Sequence, residues 1–136
     1  MTAPPTDPDD LADLTGGWVN FDTAATGIRS VDARPDKGRL ALSIAEDGPG
    51  AAGTRTTLAA TPLVDAGGDG PAVGFLAEGR LGTLDTVLCG YLNRGLLTID
   101  VHTAHPDDPR VPPVMYRAHY YRPGLAQPSE PREGLL

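Results

Sequence analysis

Hydrophobic residues along this chain recur mostly at every second position, in short runs separated by glycine- and proline-containing turns. Leu40, Leu42 and Ile44 share one face of Arg39–Ala45, and Leu97, Ile99 and Val101 share one face of Leu96–His102. A period of two places alternate side chains on opposite faces of a strand. The same reading gives strands at Leu14–Phe21, Ile28–Arg34, Thr54–Ala59, Ala72–Glu78, Thr83–Leu92 and Val114–Tyr121. Pro35-Asp36-Lys37-Gly38 has the chemistry of a hairpin turn, with proline fixing φ and glycine supplying positive φ. Asn93-Arg94-Gly95 is a second tight turn, and Gly79-Arg80-Leu81-Gly82 joins the fifth strand to the sixth. Glu46–Gly53 reads as a loop and residues 61–71 as a glycine- and proline-rich connection. The four prolines of His105–Pro113 remove ladder donors and exclude regular structure there.

Eight short strands with hairpin connections predict an all-β fold, a single antiparallel eight-stranded up-and-down barrel whose closure removes exposed edges. A two-sheet sandwich is the structural alternative. The barrel domain is expected over residues 14–122, between flexible tails at 1–13 and 123–136. A short helical turn at Asp9–Leu14 is a further option in the first tail. With 136 residues the chain fits one domain.

Gly16 and Gly17 precede Trp18, the only tryptophan. Glycine permits close approaches that a Cβ forbids, and an indole supplies a large apolar plug with one N–H donor. The stretch Leu14-Thr15-Gly16-Gly17-Trp18-Val19-Asn20 resembles the first strand of avidin-like barrels and, more loosely, the Gly-x-Trp opening of lipocalins and other calycins. The resemblance implies that Trp18 closes one barrel end beneath a basic residue of the last strand, Arg117 or Arg122. It also implies an inward Asn20 able to hydrogen-bond a ligand. Biotin is not implied, because pockets for it in that family use several tryptophans.

Charge and composition narrow the partners. The formal net charge is −7, and the ten arginines are scattered, so no basic stripe or stacking platform for nucleic acid is present. No apolar run approaches the roughly 18 residues of a membrane span. Cys89 is alone, which leaves no internal disulfide framework, and the N-terminus lacks the basic and apolar regions of a secretory signal. A cytoplasmic monomer or homodimer is the expectation.

Candidate chemistry concentrates in the later strands. His102 and His105 with Asp100, Asp107 and Asp108 form the densest His/Asp cluster, but their spacing matches no metal site, and no metal or cofactor is expected. His119 inside a barrel would move a proton near neutral pH; on the outside it is a solvated or hydrogen-bonded side chain. Asp32, Asp85 and Asp100 fall within strands, where aspartate is disfavoured. An inward Asp100 would have a raised pKa and serve as a general base. Tyr91, Tyr116 and Tyr120, with Trp18, Asn20 and Arg117, are the candidate ligand-binding residues, and His119 and Asp100 the candidate catalytic pair.

Three functions compete. The first is binding of a small, largely apolar organic ligand inside the barrel, anchored by Asn20, a tyrosine and His119. The second is a cofactor-free cyclase or isomerase of a secondary metabolite such as a polyketide, acting through orientation and desolvation. The third is a structural or protein-interaction barrel filled by its own side chains. The contents of the barrel discriminate among them: a cavity with polar groups favours the first two, a closed interior only the third.

Overall fold

The computed structural model describes residues 8–24, 27–47, 55–68 and 70–124. The strands are β1 (Gly16–Asn20), β2 (Gly27–Asp36), β3 (Arg39–Asp47), β4 (Arg55–Leu63), β5 (Gly74–Leu81), β6 (Leu84–Asn93), β7 (Leu96–Ala104) and β8 (Val114–Tyr121). Each pairs antiparallel with the next, and β8 returns to β1, closing an up-and-down barrel. The architecture is compatible with a calycin-like fold, and the sandwich alternative is excluded. Among the described residues no helix is long and apolar enough to cross a membrane.

Several element boundaries differ from expectation, each for a physical reason. The first strand is shorter at both ends: Leu14 and Thr15 are taken up by hydrogen bonds to Leu11, and Phe21 lies beyond Asn20. The first hairpin turns at Lys37-Gly38 alone, with φ of 53° and 83°, so Pro35 and Asp36 finish β2. Arg94-Gly95 repeats the device with φ of 55° and 81°. Two consecutive residues of positive φ match the right-handed twist of the flanking strands. β4 continues through Pro62 to Leu63 instead of stopping at Ala59. The β3 ladder ends at Leu40↔Ala60, so Pro62 has only β5 beside it, the edge context that tolerates a missing N–H. β5 starts at Gly74, not Ala72, and runs to Leu81, so Gly82-Thr83 suffices for the turn. The loop expected at 48–53, residues 1–7 and residues 125–136 lie outside the described residues.

The expected N-terminal tail is in part structure. A short 3-10 helix at Pro8–Leu11 lies against one barrel end, where Asp10 O accepts from Ala72 N at 2.8 Å. Leu11 and Leu14 are completely buried. The folded unit therefore begins by residue 8. Trp18 is buried behind this cap, and its Nε1 donates to Leu14 O at 2.9 Å. The Arg122 guanidinium stacks over the indole, 4.2 Å from its centroid, and donates to the carbonyls of Asp13 and Thr15. Arg122, not Arg117, is the basic residue over Trp18.

Inside, side chains meet in tight packing. Val31, Leu40, Leu42, Ile44, Leu88 and Ile99 are fully buried. At two inward positions even a methyl group has no room: a Cβ at Gly90 would collide with the Phe75 ring, and one at Gly79 with Leu58. Glycine at 79 and 90 thus makes room for a bulky side chain from the neighbouring strand, Leu58 of β4 and Phe75 of β5, to lie over it on the inner face.

Candidate functional site: the seam between the first and last strands

β1 is five residues long and β8 eight. Their ladder consists of Val19↔Tyr121 and Asn20↔Tyr120, extended by one bond from Phe21 N to His119 O at 3.0 Å. Beyond it Asp22 lies across a pocket from Arg117 and Ala118 without pairing to them. In an antiparallel pair alternate residues direct their main-chain groups to opposite sides. Since His119 addresses β1, so do Arg117 and Met115, while Val114, Tyr116, Ala118 and Tyr120 address β7. No strand lies opposite Arg117 and Met115 among the described residues. Among the described residues their main-chain N–H and C=O groups have no protein partner.

Side chains close the gap on its inner side. Asn20 Nδ2 donates to Ile28 O at 3.2 Å, and Tyr120 Oη donates to the same carbonyl at 2.9 Å. Asn20 Oδ1 accepts from Asp22 N at 2.9 Å. Tyr116 packs against the start of β2 at Gly27. Gly27, at φ 96°, leaves space for this ring, since a Cβ there would sit 2.6 Å from Tyr116 Oη. Burial pushes both phenols above their ordinary pKa, Tyr120 by more than Tyr116. These groups replace the missing stretch of β1 and hold β8 against β2.

Outside that floor lies a pocket of about 250 Å3, lined by Asn20, Phe21, Asp22, Tyr116, Arg117, Ala118 and His119. It is bordered by exposed apolar surface. Phe21 is 51% exposed and stacks on Tyr121 with centroids 4.9 Å apart; Val114 and Met115, farther along the open edge, are 51% and 55% exposed.

The structure divides the sequence-derived candidates among three places. Trp18 belongs to the capped end. Asn20 and Tyr120 converge on Ile28, with the Asn20 amide and the Tyr120 hydroxyl already committed to main-chain groups, and Tyr116 lies beside Gly27. Tyr91, Asp100, Arg117 and His119 lie on the outer face of β6–β8, in the cross-strand rows Tyr91↔Thr98↔His119 and Cys89↔Asp100↔Arg117. His119 Nδ1 and Thr98 Oγ1 are 3.0 Å apart. Arg117 grips Asp100 through two bonds, Nε to Oδ1 at 2.6 Å and a terminal nitrogen to Oδ2 at 3.1 Å. This contact holds the Asp100 carboxyl below its usual pKa, opposite to the rise that a general base requires. Asp32 and Asp85 likewise face outward, paired with Arg34 and Arg80.

The His/Asp cluster disperses. His102 sits on β7, His105–Asp108 forms a turn in which Arg110 holds Asp108, and no group of three metal-ligating side chains occurs among the described residues. A second concavity, about 570 Å3 and wide open, lies on the outer surface near Glu78, Val87, His102 and Pro113. Phe21, Asp22 and Ala118 of the seam, and the open edge at Met115, were not singled out from sequence. Their signal is relational: a first strand shorter than the strand it must close against. No protein-family model, curated protein or solved structure matches this chain.

Proposed function

We propose that this protein is an interaction barrel that receives an extended main-chain segment on the open edge of β8. The observation that carries this reading is the two-pair ladder between β1 and β8, which among the described residues leaves no strand opposite Met115 and Arg117. Strand addition supplies affinity through main-chain hydrogen bonds and specificity through pockets for alternate side chains. Here the 250 Å3 pocket beside Arg117 and His119 would seat one such side chain. The filled interior supports the same reading, because the packing at Gly79 and Gly90 puts the protein's own side chains where an internal ligand would sit.

The test is selection of random linear peptides displayed on phage, followed by titration of the winners against the ¹⁵N-labelled chain. Peptides that shift the Met115 and Arg117 amides, and bind at least tenfold more weakly to Met115→Pro, would support strand addition. Failure to select any binder, or binders that ignore that substitution, would refute it.

A second reading is favoured by the lining of the seam pocket. Tyr116, Arg117 and His119 offer an aromatic wall and polar groups to a small organic molecule. The volume lies just under the roughly 300–1,000 Å3 typical of ligand sites, which fits a compact ring system. Ligand-observed NMR with a fragment set, repeated on His119→Ala, separates this reading from the first.

A further inference from the structure

We infer that the segment received on the β8 edge is the β8 edge of a second copy of this chain, so that the barrel dimerises through its seam. The inference rests on the strand-addition reading and names its partner. Three features of the edge make it complementary to itself.

The first is the spacing of the unpaired groups. Met115 and Arg117 are the two residues whose main-chain groups point into the gap, and they are two positions apart. An antiparallel pairing with Tyr116 on the two-fold axis sets Met115 opposite Arg117 of the partner subunit, and the reverse. Each such pair exchanges two bonds, giving about four N–H···O=C contacts. A two-fold interface uses one patch twice, so the bare edge supplies its own partner.

The second feature is charge. The chain carries a net charge of −7, yet β8, Val114–Tyr121, contains no carboxylate. Its arginine at the pairing position is already neutralised by Asp100 at 2.6 Å. Two such edges can approach without bringing unpaired like charges together, whereas directly opposed bare charges on adjacent strands are unfavourable.

The third is the exposed apolar surface and the lack of guards. Exposed edges are normally blunted by lysine, proline, a bulge or a covering loop. Residues 114–119 contain neither lysine nor proline, and β8 pairs with β7 without a bulge. In the proposed register the Met115 side chain, 55% exposed in one copy, lies along the alkyl stem of the opposing arginine. Val114, on the alternate face, reaches toward the Ala118 side of the partner's pocket. A contact limited to short edges stays below the roughly 1,200 Å2 of a standard stable interface, so a reversible, concentration-dependent dimer is expected.

Sedimentation velocity of the full chain from about 1 to 500 µM tests this, with Met115→Pro and Met115→Lys as variants. The Met115 N–H faces the gap, so proline there leaves the β7 ladder intact. The lysine variant keeps the N–H and guards the edge if the proline variant folds poorly, as judged by the near-ultraviolet signal of Trp18. A concentration-dependent dimer weakened at least tenfold by either folded variant is the expected result, with protection of the Arg117 amide from exchange rising with concentration. A monomer across the whole range would overturn the second-copy inference. The peptide selection, run on dilute chain, would still report on strand addition itself. A dimer indifferent to both variants would overturn the inference by locating the interface elsewhere.

Discussion

Arg122 is the side chain on which the capped end depends, and its removal gives the sharpest test of how that end is built. The guanidinium lies 4.2 Å from the Trp18 ring centroid and donates to the carbonyls of Asp13 and Thr15, the segment linking the 3-10 helix to β1. A cation over an indole is worth about 0.5–2 kcal/mol. Each hydrogen bond from a charged donor contributes about 1.5–3 kcal/mol. The site is partly open to water, and three effects on one group are not additive, so Arg122→Ala should cost about 3 kcal/mol. For a chain of this length that is roughly 12 °C in Tm. Arg122→Lys keeps the charge but loses the planar fork and the stacking face, and should fall about midway. Gly16 provides an independent check. Its φ of 117° disfavours any other residue, and a Cβ there would lie 2.9 Å from the Arg122 guanidinium. Gly16→Ala combined with Arg122→Ala should therefore cost less than the sum of the single changes. Urea unfolding followed by Trp18 fluorescence measures all four proteins of the cycle. A loss below about 1 kcal/mol for Arg122→Ala, or strict additivity with Gly16→Ala, would refute this account of the cap.

Three further outcomes follow from the packing and the titrations. Gly90→Ala drives a methyl into the Phe75 ring and should cost about 1–3 kcal/mol as overpacking, with much of that recovered in the Gly90→Ala, Phe75→Leu double variant by thermal unfolding. Tyr120 and Tyr116 have raised pKa values in the folded chain; above pH about 10 the unfolded tyrosines ionise and the folded ones do not, so stability should fall with rising pH, by up to about 1.4 kcal/mol per pH unit for each phenol. Spectrophotometric titration at 295 nm should show delayed tyrosine ionisation that becomes smaller in Tyr120→Phe. Asp100, with its pKa lowered chiefly by Arg117, gives stability that is present above the unfolded pKa near 4 and lost as pH falls through the folded value. Asp100→Asn should flatten that acid limb in urea melts between pH 2 and 5, lowering stability at pH 7 and leaving it little changed at pH 2.

Local chemistry made most of the barrel readable. Alternation at Leu40, Leu42 and Ile44 and at Leu97, Ile99 and Val101 reports one buried face directly, and the same side chains are buried in the structure. Gly16-Gly17-Trp18 marked the capped end because a lone indole after two glycines has few uses. The seam was less legible because β8 is nearly symmetric in polarity: Tyr116, Ala118 and Tyr120 alternate with Arg117, His119 and Tyr121, so aromatic and polar side chains occupy both faces. A one-position ambiguity of this kind decides whether His119 faces the core or the solvent. It faces out. Asp100 follows it, because cross-strand pairing places Asp100 beside Arg117, and a contact between residues 17 positions apart leaves no local trace. The inner face of β4 was also faint, since Ala60 and Pro62 carry little of the hydrophobic contrast that Leu58 does.

The short first strand ties the fold to the proposed function. A closed barrel is the surest defence against edge pairing, and this one has its shortest ladder, two pairs, at the junction of β1 and β8. There Tyr120 ties β8 and Asn20 ties β1 to the Ile28 carbonyl of β2, with Tyr116 packed against Gly27. Those side chains keep water from the core, but they leave the outward-directed groups of Met115 and Arg117 unanswered. Sealing the interior and satisfying the edge are thus separated at the seam. Lengthening β1 by two residues would do both at once. The chain instead seals with side chains, and the glycine at 27 that accommodates Tyr116 suits that arrangement. A fold that has solved core closure without the last stretch of ladder retains an edge for another chain, and the apolar exposure of Phe21, Val114 and Met115 is concentrated along it.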